Sequence, residues 1–62
     1  MIIETSGNQL YRVKETGDAD LAHVWLGIEV KKVRGAYVPK ARARKTLVRK
    51  AATRIVDAGA AA

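Results

Sequence analysis

Residues 21–33, Leu-Ala-His-Val-Trp-Leu-Gly-Ile-Glu-Val-Lys-Lys-Val, contain the clearest periodic signal in the chain. From position 22 to position 30 an aliphatic residue stands at every second position, which is the period of a β-strand. We therefore predict one long strand from Leu21 to Val33, with Gly27 as a bulge or a point of close approach. The alternative is a short helix over residues 21–26, capped by Asp20 and ended by Gly27. The strand is favoured because a six-residue helix is weak alone.

A hairpin is predicted before this strand. Residues 1–4 and 9–15 have strand character, and Ser6-Gly7-Asn8 between them is typical of a turn. Residues 16–20 form a loop. Its Asp18 and Asp20 are predicted to serve turn and cap chemistry, since the rest of a calcium-binding pattern is absent.

A second hairpin is predicted after the strand, with its tip between Lys31 and Val38. Gly35 stands where a positive φ is needed, and Tyr37 begins the return strand. Pro39 lacks an amide donor, so it is expected at a strand end or a sheet edge.

The last third of the chain predicts a helix. Apolar residues recur there at i, i+1, i+4, i+5, i+8 and i+9, which gives one stripe at about 100° per residue. These are Leu47, Val48, Ala51, Ala52, Ile55 and Val56. We place the start of this helix near Arg44, with Thr46 as its cap. Two alternatives remain: residues 40–44 extend the preceding strand, or the helix stops near Ala51 and residues 53–57 form a last strand.

These elements predict a single α+β domain over residues 1–62. A small antiparallel sheet of three to four strands would occupy residues 1–38, and one basic amphipathic helix would occupy residues 39–58. A frayed tail would follow at residues 59–62. The helix stripe is expected to pack on the aliphatic face of the long strand, formed by Ala22, Val24, Leu26, Ile28 and Val30. So small a domain is marginal alone, so we expect a partner, a second copy or a nucleic acid to add stability.

Positive charge is concentrated in one part of the chain. The formal net charge is +6, and no Asp or Glu occurs between Lys31 and Arg54. Ordinary solvated helix faces mix both signs of charge, so this run favours an anionic partner. The residues predicted to contact that partner are Lys31, Lys32, Arg34, Tyr37, Lys40, Arg42, Arg44, Arg49, Lys50 and Arg54.

The aromatic residues have two interpretations each. Trp25 and His23 share a strand face and are either an exposed platform or, as we prefer, a core anchor with the histidine at its edge. Tyr37 is either core filler or a stacking residue beside Arg34.

Catalysis is disfavoured by composition. There is no Cys and only one His, no hydroxyl residue lies in a nucleophile motif, and no Gly-rich phosphate loop occurs. We therefore predict no enzymatic activity, no catalytic residue, no metal site and no cofactor.

The preferred function is a small non-enzymatic module that binds the DNA or RNA backbone without strong sequence readout. The alternative is a protein-interaction module, such as a phage-type accessory, structural or inhibitor protein. It would bind an acidic surface or add a strand to a partner sheet, and it could form a homo-oligomer. No membrane segment or export signal is predicted, so a cytoplasmic location, or one within a virion, is expected.

Overall fold

The computed structural model describes residues 1–59, which form six β-strands and one 3₁₀ turn over Ala19–Leu21. The strands are β1 Ile2–Thr5, β2 Leu10–Glu15, β3 Val24–Val33, β4 Ala36–Pro39, β5 Thr46–Arg49 and β6 Thr53–Asp57. All pairings are antiparallel. The strand order is β4-β3-β2-β1-β6, and β5 also pairs with β3. Because β2 occupies the other edge of β3, β4 and β5 share one edge of that strand.

Both predicted hairpins are confirmed. β1 pairs with β2, and the turn between them is closed by the Asn8 amide, which donates to the Thr5 carbonyl at 3.0 Å. β3 pairs with β4 through a two-residue turn in which Arg34 has φ 52° and Gly35 has φ 84°. Positive φ at both central residues is the geometry that matches the twist of hairpin strands. Pro39 is the last residue of β4, at a strand end as predicted.

The long strand is confirmed from Val24 to Val33, but its predicted start is three residues too early. Residues 19–21 form the 3₁₀ turn, and residues 22–23 form a further turn. The Asp20 amide donates to the Asp18 side chain at 2.9 Å, so Asp18 is the cap. The alternative helix over residues 21–26 is wrong.

The predicted C-terminal helix is also wrong, and with it the α+β class: the described residues form an all-β fold. Residues 40–45 are a connecting segment, and β5 and β6 occupy the region of the expected helix. Thr46 begins β5 instead of capping a helix. The alternative last strand over residues 53–57 is confirmed, whereas the alternative extension of the preceding strand through residues 40–44 is not. The predicted tail at residues 59–62 lies outside the described residues, except for Gly59.

The C-terminal segment forms strands instead of a helix because the backbone edges of β1 and β3 would otherwise stay unpaired. Without β5 and β6, one edge of β1 and half of one edge of β3 would lack hydrogen-bond partners. Thr46, Val48, Thr53, Ile55 and Val56 are β-branched and suit those edges. The apolar pairs 47/48 and 55/56 are eight residues apart, and that spacing imitates a helical stripe.

The sheet must be strongly curved. β5 and β6 are four strand steps apart, which would be about 19 Å in a flat sheet. The four residue-to-residue steps from Arg49 to Thr53 span at most about 14 Å. Curvature brings the two ends together, and the Thr53 hydroxyl donates to the Lys50 carbonyl in the connecting turn at 2.8 Å.

One cluster of buried side chains connects four strands of the sheet. Ile3, Val13, Trp25 and Val48 come from four different strands and pack as one buried cluster. Trp25 is only 8% exposed, so its interpretation as the core anchor is confirmed and the exposed platform is wrong. Gly27 is the point of close approach that the sequence predicts. A Cβ atom there would lie 2.9 Å from Val13 Cγ1 and 3.1 Å from Val48 Cγ2.

Candidate functional site

A basic edge runs along β3. β4, the connecting segment 40–45 and β5 follow one another beside this strand, from the Val33–Ala36 pair to the Val24–Arg49 pair. Ten strand residues correspond to a contour of about 33 Å. Residues 31–50, here called the basic edge, contain nine Lys or Arg residues and no Asp or Glu. The sequence predicts that these cations lie on a hairpin and a helix. In the structure they lie instead on a hairpin, a loop and a strand along one edge of β3.

The structure brings nine of the ten predicted contact residues onto this edge. They are Lys31, Lys32, Arg34, Tyr37, Lys40, Arg42, Arg44, Arg49 and Lys50. Arg54 is the exception, because it lies on β6, whose neighbour is β1.

Three of the predicted cations are held by acids. Lys40 Nζ lies 2.8 Å from Glu29 Oε2, and Lys50 Nζ lies 2.8 Å from Glu15 Oε1. Arg54 binds Glu4 Oε1 through Nε at 2.8 Å and through Nη2 at 2.6 Å. The other six predicted cations have no acidic partner within residues 1–59. These are Lys31, Lys32, Arg34, Arg42, Arg44 and Arg49, and all of them are exposed.

Two arginines of the edge sit in turns with left-handed backbone. Arg34 has φ 52° at the hairpin tip, and Arg42 has φ 65° in the connecting segment. Left-handed backbone is unfavourable for a residue with a Cβ atom, and glycine or asparagine is common at such positions. Both guanidinium groups are therefore displayed from tight, exposed turns.

Tyr37 has a mixed environment. Its side chain is half-buried, and Lys32 Nζ lies 5.5 Å from its ring centroid across the β3–β4 pair. This distance permits a cation–π contact. The backbone carbonyl of Tyr37 accepts a hydrogen bond from Arg12 Nη2 at 3.3 Å.

Glu15 connects the core to the end of the basic edge. Its Oε1 accepts from Lys50 Nζ, and its Oε2 accepts from the indole N–H of Trp25, both at 2.8 Å. Lys50 Nζ also lies 5.6 Å from the centroid of the Trp25 ring. The hydrogen bond from Lys50 lowers the pKa of the Glu15 carboxyl below its ordinary value; partial burial opposes this, and the bond from Trp25 adds to it.

This network predicts an acid-dependent loss of stability. A carboxyl with a lowered pKa in the folded state stabilises the fold above its unfolded pKa, about 4.3, and loses that contribution as pH falls through the folded value. The stability advantage of the wild type over Glu15→Gln should therefore be constant at neutral pH and shrink below about pH 4.3. Urea unfolding followed by far-UV circular dichroism at several pH values measures it. In a Lys50→Gln background, the pH-dependent part of the stability change caused by Glu15→Gln should be smaller, because the hydrogen bond that lowers the Glu15 pKa is absent. An advantage that does not change with pH, or that grows in acid, would contradict this assignment.

Sequence reasoning missed three cations near the middle of the edge. Arg12, Lys14 and Lys45 line a pocket of about 200 Å³ together with Val13, Leu26, Gly27 and Ile28. Two of these cations lie on β2 and one lies in the connecting segment, so only the strand register shows that they meet. The only sign of this pocket in the sequence was the alternation in β2, which places Arg12 and Lys14 on one face of the strand.

Comparison with family models, with curated proteins and with solved structures found no match for this chain. Within residues 1–59, no group of three His, Asp or Glu residues could hold a metal ion. No helix in that part of the chain is long and apolar enough to cross a membrane.

Proposed function

We propose that the protein is a non-enzymatic nucleic-acid-binding module that contacts phosphates along the basic edge. The observation that supports this is that residues 31–50, a segment with nine Lys and Arg residues and no Asp or Glu, lie along a single β-strand edge. A linear run of cations suits a linear run of phosphates. The cytoplasm or the interior of a virion, where nucleic acid occurs, is part of this proposal.

The binding would be electrostatic and largely independent of base sequence. Exposed Lys and Arg side chains contact phosphate oxygens and release condensed counterions, which makes affinity fall steeply with salt. The cations that contribute most are those without an acid beside them, because Lys40 and Lys50 would first have to leave Glu29 and Glu15. Arg42 and Arg44 stand in the exposed connecting segment at the middle of the edge.

The test is a salt titration of wild type and of the double variant Arg42→Gln/Arg44→Gln. We expect the variant to bind more weakly, and the slope of log affinity against log salt to fall by about 2, one for each lost phosphate contact. Fluorescence anisotropy of labelled oligonucleotides at several salt concentrations gives both quantities.

Arg54→Gln is the control, because it removes one charge away from the basic edge. Arg54 is held by Glu4, and an exposed ion pair of this kind contributes only about 0–1 kcal/mol to stability. Its slope should match that of the wild type. An Arg42→Gln/Arg44→Gln slope equal to that of the wild type would exclude the basic edge as the binding surface.

A second candidate function, strand addition by a protein partner, is favoured by one observation. β6 ends the strand order and carries two exposed apolar residues, Ile55 at 57% and Val56 at 37% exposure. Such an edge can pair with a strand of another protein or of a second copy. Light scattering of wild type and Ile55→Lys tests the second copy, since the charge should dissociate a β6-mediated dimer.

A further inference from the structure

The pocket beside the basic edge combines an apolar wall with a cationic rim. Leu26 and Ile28 of β3 lie opposite Lys14 and Arg12 of β2, so these four side chains share one face of the sheet. Lys45 reaches the same pocket from the connecting segment. No Asp or Glu lines the pocket.

The apolar surface continues past the pocket. Leu47 of β5 pairs with Leu26, so it extends the same face, and it is 54% exposed. A leucine this exposed, next to an apolar pocket, enlarges the surface that a ligand can cover.

Arg12 adds a donor without an acceptor. Its Nη2 is held by the Tyr37 carbonyl, but its buried Nε–H has no hydrogen-bond partner within residues 1–59. Buried polar groups are nearly always paired in folded proteins, so an unpaired one beside a pocket suggests an acceptor from a ligand.

Together these features define the chemistry of the ligand. It has an apolar body that fits a pocket of about 200 Å³, a hydrogen-bond acceptor, and negative charge close to that body. A nucleotide in a single strand has all three: a base with acceptor atoms and a phosphate on either side. In a duplex the base is stacked and paired, so it cannot enter a pocket without being extruded.

We infer that this pocket receives one unpaired base of a single-stranded nucleic acid, whose flanking phosphates contact Lys14 and Lys45. This inference rests on the proposed function and adds the preferred strand type. The basic edge holds the backbone on either side of the pocket, and the pocket distinguishes single strands from duplexes.

The experiment compares three labelled probes of equal length: an intact DNA single strand, an abasic single strand and a duplex. The abasic strand keeps the phosphates and lacks the bases. At one fixed salt concentration, the wild type should bind the intact strand about tenfold more tightly than the abasic strand, as expected when one base is buried against aliphatic side chains. It should also prefer the intact strand to the duplex.

Two pocket variants and one matched control separate the base from the charge. The charge-neutral Leu26→Phe, which fills the pocket, should remove most of the preference for intact over abasic strand. Lys14→Gln/Lys45→Gln removes two phosphate contacts beside the pocket, so it should weaken the binding of both probes, because the abasic strand keeps its phosphates. Lys31→Gln/Lys32→Gln loses the same charge as Lys14→Gln/Lys45→Gln, away from the pocket, and should weaken both probes equally. All four lysines are exposed, so these two double variants should fold.

Equal wild-type affinity for intact strand, abasic strand and duplex would overturn the pocket inference and leave the proposed function standing. An unchanged preference for intact over abasic strand in the Leu26→Phe variant would overturn it as well. Displacement of the single strand by an acidic peptide with apolar side chains, at lower concentration than by unlabelled strand, would assign the pocket to a protein partner. Failure of all three probes to bind at low salt would overturn the proposed function itself.

Discussion

Gly27→Ala is expected to lower the free energy of unfolding by about 1–3 kcal/mol, the usual cost of forcing extra volume into a packed core. The new Cβ would lie 2.9 Å from Val13 Cγ1, 3.1 Å from Val48 Cγ2 and 3.4 Å from the Arg12 carbonyl oxygen. Both valines are buried, at 2% and 7% exposure, and they are β-branched, so neither moves away cheaply. A domain of this length is stable by only roughly 3–9 kcal/mol. Urea unfolding followed by Trp25 fluorescence measures the loss.

Two further variants check that crowding is the cause. Gly7→Ala is the matched control, because the new Cβ would lie 3.9 Å from Thr5 Oγ1, an ordinary van der Waals distance, and it should cost far less. Val13→Ala removes the closest of the clashing atoms. The double variant Gly27→Ala/Val13→Ala should therefore lose less than the two single losses added together. Strict additivity, or full stability of Gly27→Ala, would show that the strands do not approach at this point.

Trp25→Ala is expected to cost about 3–5 kcal/mol, which is comparable with the whole stability of a domain of this size. Trp25 is the only tryptophan and the largest member of the buried cluster. The alanine variant also leaves Glu15 Oε2 without the indole donor. We expect loss of most strand signal in far-UV circular dichroism at 37 °C, and thermal melts measure the shift.

Trp25→Phe separates volume from hydrogen bonding. Phenylalanine keeps much of the apolar area but has no N–H for Glu15, so its cost should be well below that of alanine. A Trp25→Ala variant with wild-type stability would mean that this side chain is not central to the core.

The sequence predicted the first two-thirds of the fold because its signals there are local. Gly7 with Asn8 and Arg34 with Gly35 mark the two hairpins, and the alternation through Trp25 marks the long strand. The last third failed because the deciding interaction is not local. The residues that pair with β5 and β6 lie 19 or more positions earlier in the chain, and the unpaired edges of their strands outweigh a helical spacing of apolar residues.

The candidate site also has one part that the sequence predicts and one part that only the fold shows. A run of cations without acids is visible in the sequence, and the structure places nearly all of it on one edge. The acids that hold Lys40, Lys50 and Arg54 are 11, 35 and 50 residues away along the chain, so the sequence could not show that these cations are paired. The pocket was hidden for the same reason, since β2, β3 and the connecting segment meet only after folding.

An NMR titration of ¹⁵N-labelled protein with a short single-stranded oligonucleotide tests the all-β fold and the basic edge together. We expect strand-type chemical shifts for residues 46–49 and 53–57 in the free protein. On titration, amide shift changes should concentrate in residues 31–50 and around Arg12 and Lys14. Helical shifts over residues 44–57 would contradict the fold, and changes confined to β1 and β6, or none at low salt, would contradict the basic edge as the binding surface.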